Sequence, residues 1–343
     1  MEFGFLNGDG PSSLLVLSSR IRIARNLKDY PFPYRATETL RKEILGKIFQ
    51  VVQSEESLKI LQFINLDEFQ NLEKQVLLEN HLVSPNFIQD SKGKGIFLHL
   101  PTTISMMVNE EDHLRIQCLP SGLDLQKGWE VLNKLDDLLE SHLSFAFNES
   151  WGYLSAYPTN LGTGLRASVL LHLPALVFLQ AMPGLIQSLN QMGIVVRGFY
   201  GEGTESQGYF FQISNAFSIG HSEEEIVTRI STVAGQVLHQ ELESRERMKK
   251  NQPELIVDRI WRSFSVLKSA RLINSAEAME HLSLTRMGVQ MGILPHIPAK
   301  TLNELMRMTR SANLQKELKE ELDALKRDGM RADYLRSLLA GFS

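Results

Sequence analysis

Residues Val108 to Gln117 read VNEEDHLRIQ and set three consecutive acids, Glu110, Glu111 and Asp112, between an apolar run and an alternating tail. An acidic turn between two strands ordinarily means only that solvent is near. Carboxylates in a cleft can also orient a cationic group and withdraw a proton from it. Arginines recur beside strand or loop signals elsewhere: Arg20 with Arg22, Arg115, Arg166 in GTGLR, and Arg197 in VVRGFYGEGTE. Each taken alone is a solvated surface residue. Converging on one cleft, they would clamp a polyphosphate, because the guanidinium fork binds phosphate bidentately and keeps its charge. Such a clamp would also offset charge developing on a transferred phosphoryl group. The Gly162-Thr163-Gly164 segment, read as a loop ahead of a helix, could bring backbone N–H groups to phosphate, or could simply be a loop that requires glycine. Neither a P-loop nor a protein-kinase glycine loop with its accompanying motifs is present.

The elements that must position these groups are legible in part. LLVLSSRIRIAR alternates after Ser18, so Arg20 and Arg22 share one strand face and Ile21 and Ile23 the other. In HLRIQCL the residues Leu114, Ile116 and Cys118 share a side, which makes NEED the turn of a hairpin. Helical spacing marks TETLRKEILGKIFQVVQ, LDEFQNLEKQVLLENHL with His81 at its end, and KGWEVLNKLDDLLESHLSFAF. PTNLGTGLRASVLLHLPALVFLQAM is expected to run from a glycine-containing loop into a helix. GIVVRGFYGEGTESQGYFFQISN reads as two short strands about a glycine-rich loop that carries Glu202. Ser222 with Glu225 forms a capping box for a long helix ending in a basic cluster. From about residue 253 strand signals nearly vanish. The division expected is residues 1–252 and a helical region 253–343.

The chain has 343 residues, 43% of them hydrophobic, enough for a sizeable core. A net charge of -4 gives no global basic field, so direct nucleic-acid binding has no electrostatic support. One cysteine, Cys118, and an N-terminus without signal-peptide character fit a reducing cytoplasm. The apolar stretch around His172 and Pro174 is too short and too interrupted to span a membrane.

SSRIRIAR, NEEDHLR, PTNLGTGLRASV and RGFYGEGTESQG occur in the order and with the character of the phosphagen kinases, which the chain resembles from about Leu14 to Glu225. It looks closer still to the bacterial protein-arginine kinase (McsB-type) branch. The motif series starts near the N-terminus, without the helical domain that small-guanidine enzymes carry before it. The helical C-terminal region and RDGMRA, similar to that branch's R-D-x-x-R-A element, also agree. The fold this resemblance implies is α+β, an antiparallel sheet flanked by helices followed by a helical C-terminal domain.

The activity implied is ATP-dependent phosphorylation of arginine side chains in proteins. Glu111 would grip the substrate guanidinium, and Glu202 would be a second carboxylate arriving from a loop. Arg20, Arg22, Arg115, Arg166 and Arg197 match the ATP-phosphate arginines, and His81 the nucleotide-contacting histidine, although a helix-end histidine can equally be bonded to a carbonyl. Glu110 and Asp112 remain supporting groups that point elsewhere. Magnesium would bridge the phosphates without a protein side chain as ligand. Arg327, Asp328 and Arg331 would bind phosphoarginine, or form a solvated basic helix face that Gly329 interrupts.

One departure stands out. Tyr157 occupies the position of the family's usual reactive cysteine, which puts substrate alignment and rate in question, and Cys118 lies too far away in sequence to replace it. A free-arginine kinase and a silent phosphoarginine-binding adaptor are the alternatives. Implied partners are protein substrates with exposed arginines, among them stress regulators and unfolded proteins, a McsA-type activator, an AAA+ protease system and a second copy of the chain in a homodimer.

Overall fold

The computed structural model describes residues 3–198 and 207–342. Among these the strands are β1 (Val16–Arg25), β2 (Gln62–Asn65), β3 (Gly95–His99), β4 (Ile104–Val108), β5 (Leu114–Cys118), β6 (Phe147–Asn148), β7 (Gly152–Tyr153), β8 (Leu165–His172), β9 (Ile194–Gly198) and β10 (Phe210–Asn215). The helices through the first region are α1 (Glu38–Ser54), α2 (Asn71–Glu79), α3 (Pro85–Gln89), α4 (Leu125–Glu140), α5 (Pro174–Phe178), α6 (Met182–Gln191) and α7 (Glu223–Asn251). After Gln252 follow α8 (Pro253–Ser269), α9 (Ser275–Gln290), α10 (Ala299–Met308), α11 (Ser311–Leu318) and α12 (Ala324–Leu339).

Eight of the strands form one antiparallel sheet in the order β2-β3-β4-β5-β1-β8-β10-β9, with β6 and β7 paired separately. Alternation decides its two faces. Ile21 and Ile23 of β1, Leu114, Ile116 and Cys118 of β5, and Leu165, Ala167 and Val169 of β8 enter one core with residues of α1, α4 and α7. Each large aliphatic side chain buried there contributes about 1.5–3 kcal/mol. The opposite face carries two separate apolar patches. Ile96, Leu98 and Met107 pack with Leu77, Leu82 and Phe87 around α2 and α3. Leu17, Leu170 and Phe210 pack with Ile260, Met279, Leu302 and Leu335 of the C-terminal helices. A polar strip remains between these patches, and that strip holds the arginines.

Most expected elements are present, including the NEED hairpin turn between β4 and β5 and the capping box of Ser222 and Glu225 on α7. One expectation is corrected. The Gly162-Thr163-Gly164 segment does not lead into a helix: β8 follows at Leu165 and pairs with both β1 and β10, and helix begins only at Pro174. The alternation Leu165-Arg166-Ala167-Ser168-Val169 is broken by Leu170 and Leu171, which run on into the apolar stretch of α5, so its period of two is partly hidden.

Candidate active site

Arg20 and Arg22 on β1, Arg115 on β5, Arg166 on β8 and Arg197 on β9 all project from the polar strip. Registers are consistent with this: Arg22 stands directly opposite Arg166 and beside Gln117, and Arg197 opposite Gln212. Like charges placed opposite one another destabilise a sheet. The cost is visible in their titration. Burial, then Arg115 and Arg166, brings Arg20 down to about 9. Burial, then Arg20 and its neighbours, lowers Arg22 well below its usual range, and burial with Arg197 and Arg115 brings Arg166 down to about 10. The Nε atoms of Arg22 and Arg166 are buried without a hydrogen-bond partner among the described residues. Arg115 alone of the five is paired with a carboxylate among the described residues: Glu110 takes both N–H bonds of one terminal nitrogen, at 2.6 and 2.7 Å. A concentrated positive charge with orphaned donors calls for a polyanion.

The three acids of the turn have three different environments. Glu110 is buried, accepts from Arg115 and from the Ser84 hydroxyl, and is held below the usual carboxylate range because Arg115 outweighs burial. Asp112 accepts from Asn26 Nδ2 at 2.6 Å, Ser155 Oγ at 3.0 Å and the Ala156 amide at 2.7 Å, which ties the hairpin to the segment before Tyr157. Asp112 and Glu111 both line the cleft, and of the two Glu111 is the one not engaged by those donors. Burial and the neighbouring Glu110 raise it above the ordinary carboxylate range, while a hydrogen bond from Tyr157 pulls it back. The cleft, about 340 Å³, is lined by Glu111, Asp112, Tyr157 and Asn160 together with Arg22, Arg115, Arg166 and Arg197. A polar acceptor and a polyphosphate could therefore meet within it.

His81 follows α2 with φ +59°, and its carbonyl accepts from Gln117 Nε2 at 2.8 Å. Burial, then Arg310 and Arg20, brings its imidazole down to about 3, so it is neutral at physiological pH. It borders Arg20 in a small cavity with Ser168 and Gln212 rather than the main cleft. The glycines flanking Thr163 serve geometry. Gly162 has φ +95° and a Cβ there would lie 2.7 Å from Ile219 Cα; Gly164 has φ +68° and a Cβ would meet the Ala24 carbonyl at the same distance. The Gly162 amide is spent on Trp151 O at 2.8 Å, so the segment lacks both the helix and this donor for a phosphate loop. Glu202 lies outside the described residues. In the C-terminal helices, α12 runs unbroken through Gly329, and Arg331 is buried with Nε on Thr309 O (2.7 Å) and its terminal nitrogen on Ile273 O (2.8 Å) and Asp328 (2.5 Å). Arg327 and Asp328 are only half-buried.

Several contributors carry no signal in the sequence. Asn26 holds both Asp112 and the His113 amide; Ser84 holds Glu110; Arg25 is fixed by Asp136 at 2.6 Å and by Tyr153, whose ring centroid lies 3.5 Å away, and donates to Thr163 O. These residues are joined by folding, across separations no local pattern encodes. Arg25 belongs to the alternating run and could have been noted as the third arginine there.

Comparison with known proteins agrees with this arrangement. Residues 41–244 match the ATP:guanido phosphotransferase C-terminal catalytic domain, and residues 253–343 match the protein-arginine kinase McsB C-terminal domain. Among solved structures, the duplicated taurocyamine kinase of Schistosoma mansoni with bound transition-state-analogue components shares the fold at TM-score 0.63 and 24% identity, covering 79% of this chain and 42% of that one. Lombricine kinase does so at TM-score 0.60 and 24% identity, covering 68% of each chain. The fold and the matching catalytic-domain model are those of a guanidino phosphotransferase. Protein-arginine kinases of Pelotomaculum thermopropionicum and Symbiobacterium thermophilum are 42% and 44% identical, over 97% and 99% of this chain and 94% and 97% of theirs. The chain belongs to the protein-arginine kinase branch of the ATP:guanido phosphotransferase family.

Proposed function

We propose that the protein transfers the γ-phosphoryl group of ATP to arginine side chains of protein substrates. The carrying observation is one cleft lined both by Glu111, a carboxylate whose pKa is raised, and by Arg22 and Arg166, which have no carboxylate partner among the described residues. A guanidinium nitrogen is a poor nucleophile until it is oriented and relieved of a proton. Glu111 orients the substrate and accepts that proton as nitrogen attacks phosphorus; the bond to the β-phosphate oxygen breaks and ADP leaves with the electron pair. The five arginines bind the triphosphate and offset the charge spread over the transferred group, so catalysis is chiefly positioning and electrostatics. Glu202 is the second carboxylate in this reading, and His81 a neutral nucleotide contact. Magnesium, arriving with ATP, would supply further neutralisation of phosphate charge; the arginine strip suits the anionic oxygens themselves and holds no metal ligand among the described residues.

Within the same reading the division at 252/253 separates catalysis from regulation, and the C-terminal helices serve dimerisation and phosphoarginine binding through Arg327, Asp328 and Arg331. The burial of Arg331 supports a share in which it fixes Asp328 from behind while Arg327 offers the phosphate-binding fork. A McsA-type activator, a protease partner and a cytoplasmic setting are parts of this proposal. Among the described residues no helix is long and apolar enough to cross a membrane. Incubation with ATP and either unfolded casein or free arginine, read as acid-labile phosphate, tests the acceptor. Labelling of casein is the expected result, and labelling of the free amino acid alone would overturn it.

A further inference from the structure

We infer that Glu79 is a positioning residue of the nucleotide-phosphate site and that, through it, helix α11 of the C-terminal region holds that site in register. The inference rests on the proposed use of ATP. α11 begins at Ser311 and has no side-chain cap of its own. Its first-turn donors are instead taken by a carboxylate from the other end of the sequence: Glu79 accepts from the Ala312 amide at 2.9 Å, the Asn313 amide at 2.8 Å and Asn313 Nδ2 at 2.9 Å. A negative charge at that end also meets the helix dipole favourably. The next residue repeats the tie, with Asn80 Nδ2 donating to Asn313 Oδ1 at 2.8 Å.

The segment that follows Glu79 is attached to the arginine strip through His81, Leu82 and Ser84. Its backbone turns at His81 in the left-handed region, a conformation that surrounding contacts must enforce in a residue with a side chain. Gln117 Nε2, two residues beyond Arg115, donates to the carbonyls of His81 (2.8 Å) and Leu82 (3.1 Å). Ser105 Oγ donates to Leu82 O at 2.5 Å. The Ser84 hydroxyl bonds Glu110, and Glu110 grips Arg115. His81 itself shares one small cavity with Arg20 and another with Arg310, the residue that precedes α11. Residues 79–84 thus form a joint with α11 on one side and Arg20, Arg115 and Glu110 on the other. On its far side the joint continues to α12, where Arg331 Nε donates to Thr309 O, the carbonyl next to Arg310.

Release of α11 should let the turn at His81 relax and shift the strip by fractions of an ångström, which binding would feel before chemistry does. The test is ATP–Mg²⁺ affinity by calorimetry, with KM for ATP and kcat measured alongside, in full-length Glu79→Ala, Glu79→Gln and Asn313→Ala. Glu79→Ala is expected to weaken ATP binding about tenfold, within the range usual for coupled sites, and to raise KM for ATP similarly with kcat changed less than about threefold. Glu79→Gln, which still accepts one amide, should recover most of the loss. Asn313→Ala should produce a smaller loss that does not add to that of Glu79→Ala. Unchanged ATP affinity in Glu79→Ala with native circular dichroism would overturn the inference, as would equal rises in KM for ATP and for the protein acceptor. Should Glu79→Ala fail to fold, unchanged affinity in Asn313→Ala would overturn it as well. Absence of ATP binding by the wild type would instead refute the nucleotide reading beneath it.

Discussion

Three adjacent acids do three jobs because each meets a different neighbour. Glu110 has Arg115, Asp112 has Asn26 and two donors near Tyr157, and Glu111 has the cleft. That a NEED turn could carry a carboxylate for a cleft was arguable from the residues, but which acids are engaged elsewhere depended on partners 26 to 86 positions away, such as Ser84 and Asn26. The Tyr157 hydroxyl interacts with Glu111 and favours the charged form of that acid. Cys118 is on the apolar face, its thiol raised by burial to about 12, and is not among the residues lining the cleft. A general base must be deprotonated, so a raised Glu111 places the acidic limb of kcat/KM above the range of an ordinary carboxylate. Tyr157→Phe removes a bond that lowers the acid's pKa, so that limb is expected to move to still higher pH in a pH–rate profile. A limb that stays in place or moves down would contradict this account of Tyr157.

At the scale of elements, periodicity served well where one side of an element meets water or a polar strip, as in β1, β5 and α7. It failed at β8, which is buried on both faces and read as helix. β8 ends at His172, fully buried, with Nε2 2.6 Å from Ser283 Oγ on α9 and with Arg245 of α7 beside it at 3.5 Å. Burial, then Arg245 and Arg286, lowers its pKa well below 6.5. Its folded-state value is thus below its unfolded one, so below about pH 6.5 the unfolded chain binds the extra proton and stability falls with pH. The slope contributed approaches about 1.4 kcal/mol per pH unit. Urea midpoints measured between about pH 5 and 7 should rise with pH, and His172→Gln should flatten that rise while lowering the plateau. An identical slope in the variant would show that His172 does not carry the dependence.

At the scale of the whole molecule, the helical C-terminal region was apparent from the loss of strand signals after residue 253, but its seat was not. Leu17, Leu170 and Phe210 of the sheet share a core with α8, α9, α10 and α12. No spacing rule announces that a sheet face will be divided between two coverings, leaving an arginine strip between. The unbroken helix through Gly329 and the burial of Arg331 sharpen what can be asked of RDGMRA. Replacing Arg331 would remove three internal hydrogen bonds, so the informative variant is Arg327→Ala with Asp328→Ala. It is expected to weaken phosphoarginine binding at least tenfold, about 1.4 kcal/mol, and to leave basal phosphorylation in place. Calorimetry giving equal affinities would remove phosphoarginine from the role of these helices.

The central claim is that Glu111 prepares a substrate guanidinium opposite ATP held by the arginine strip. The most direct measurement compares wild type and Glu111→Gln for acid-labile phosphate transferred from ATP to unfolded casein, with ATP affinity determined on the same samples. Loss of an orienting base typically costs a factor of about 10² to 10⁴. The account predicts a fall in rate of more than about 100-fold with ATP affinity nearly unchanged. Near-normal turnover by Glu111→Gln would contradict it and reduce NEED to an acidic turn.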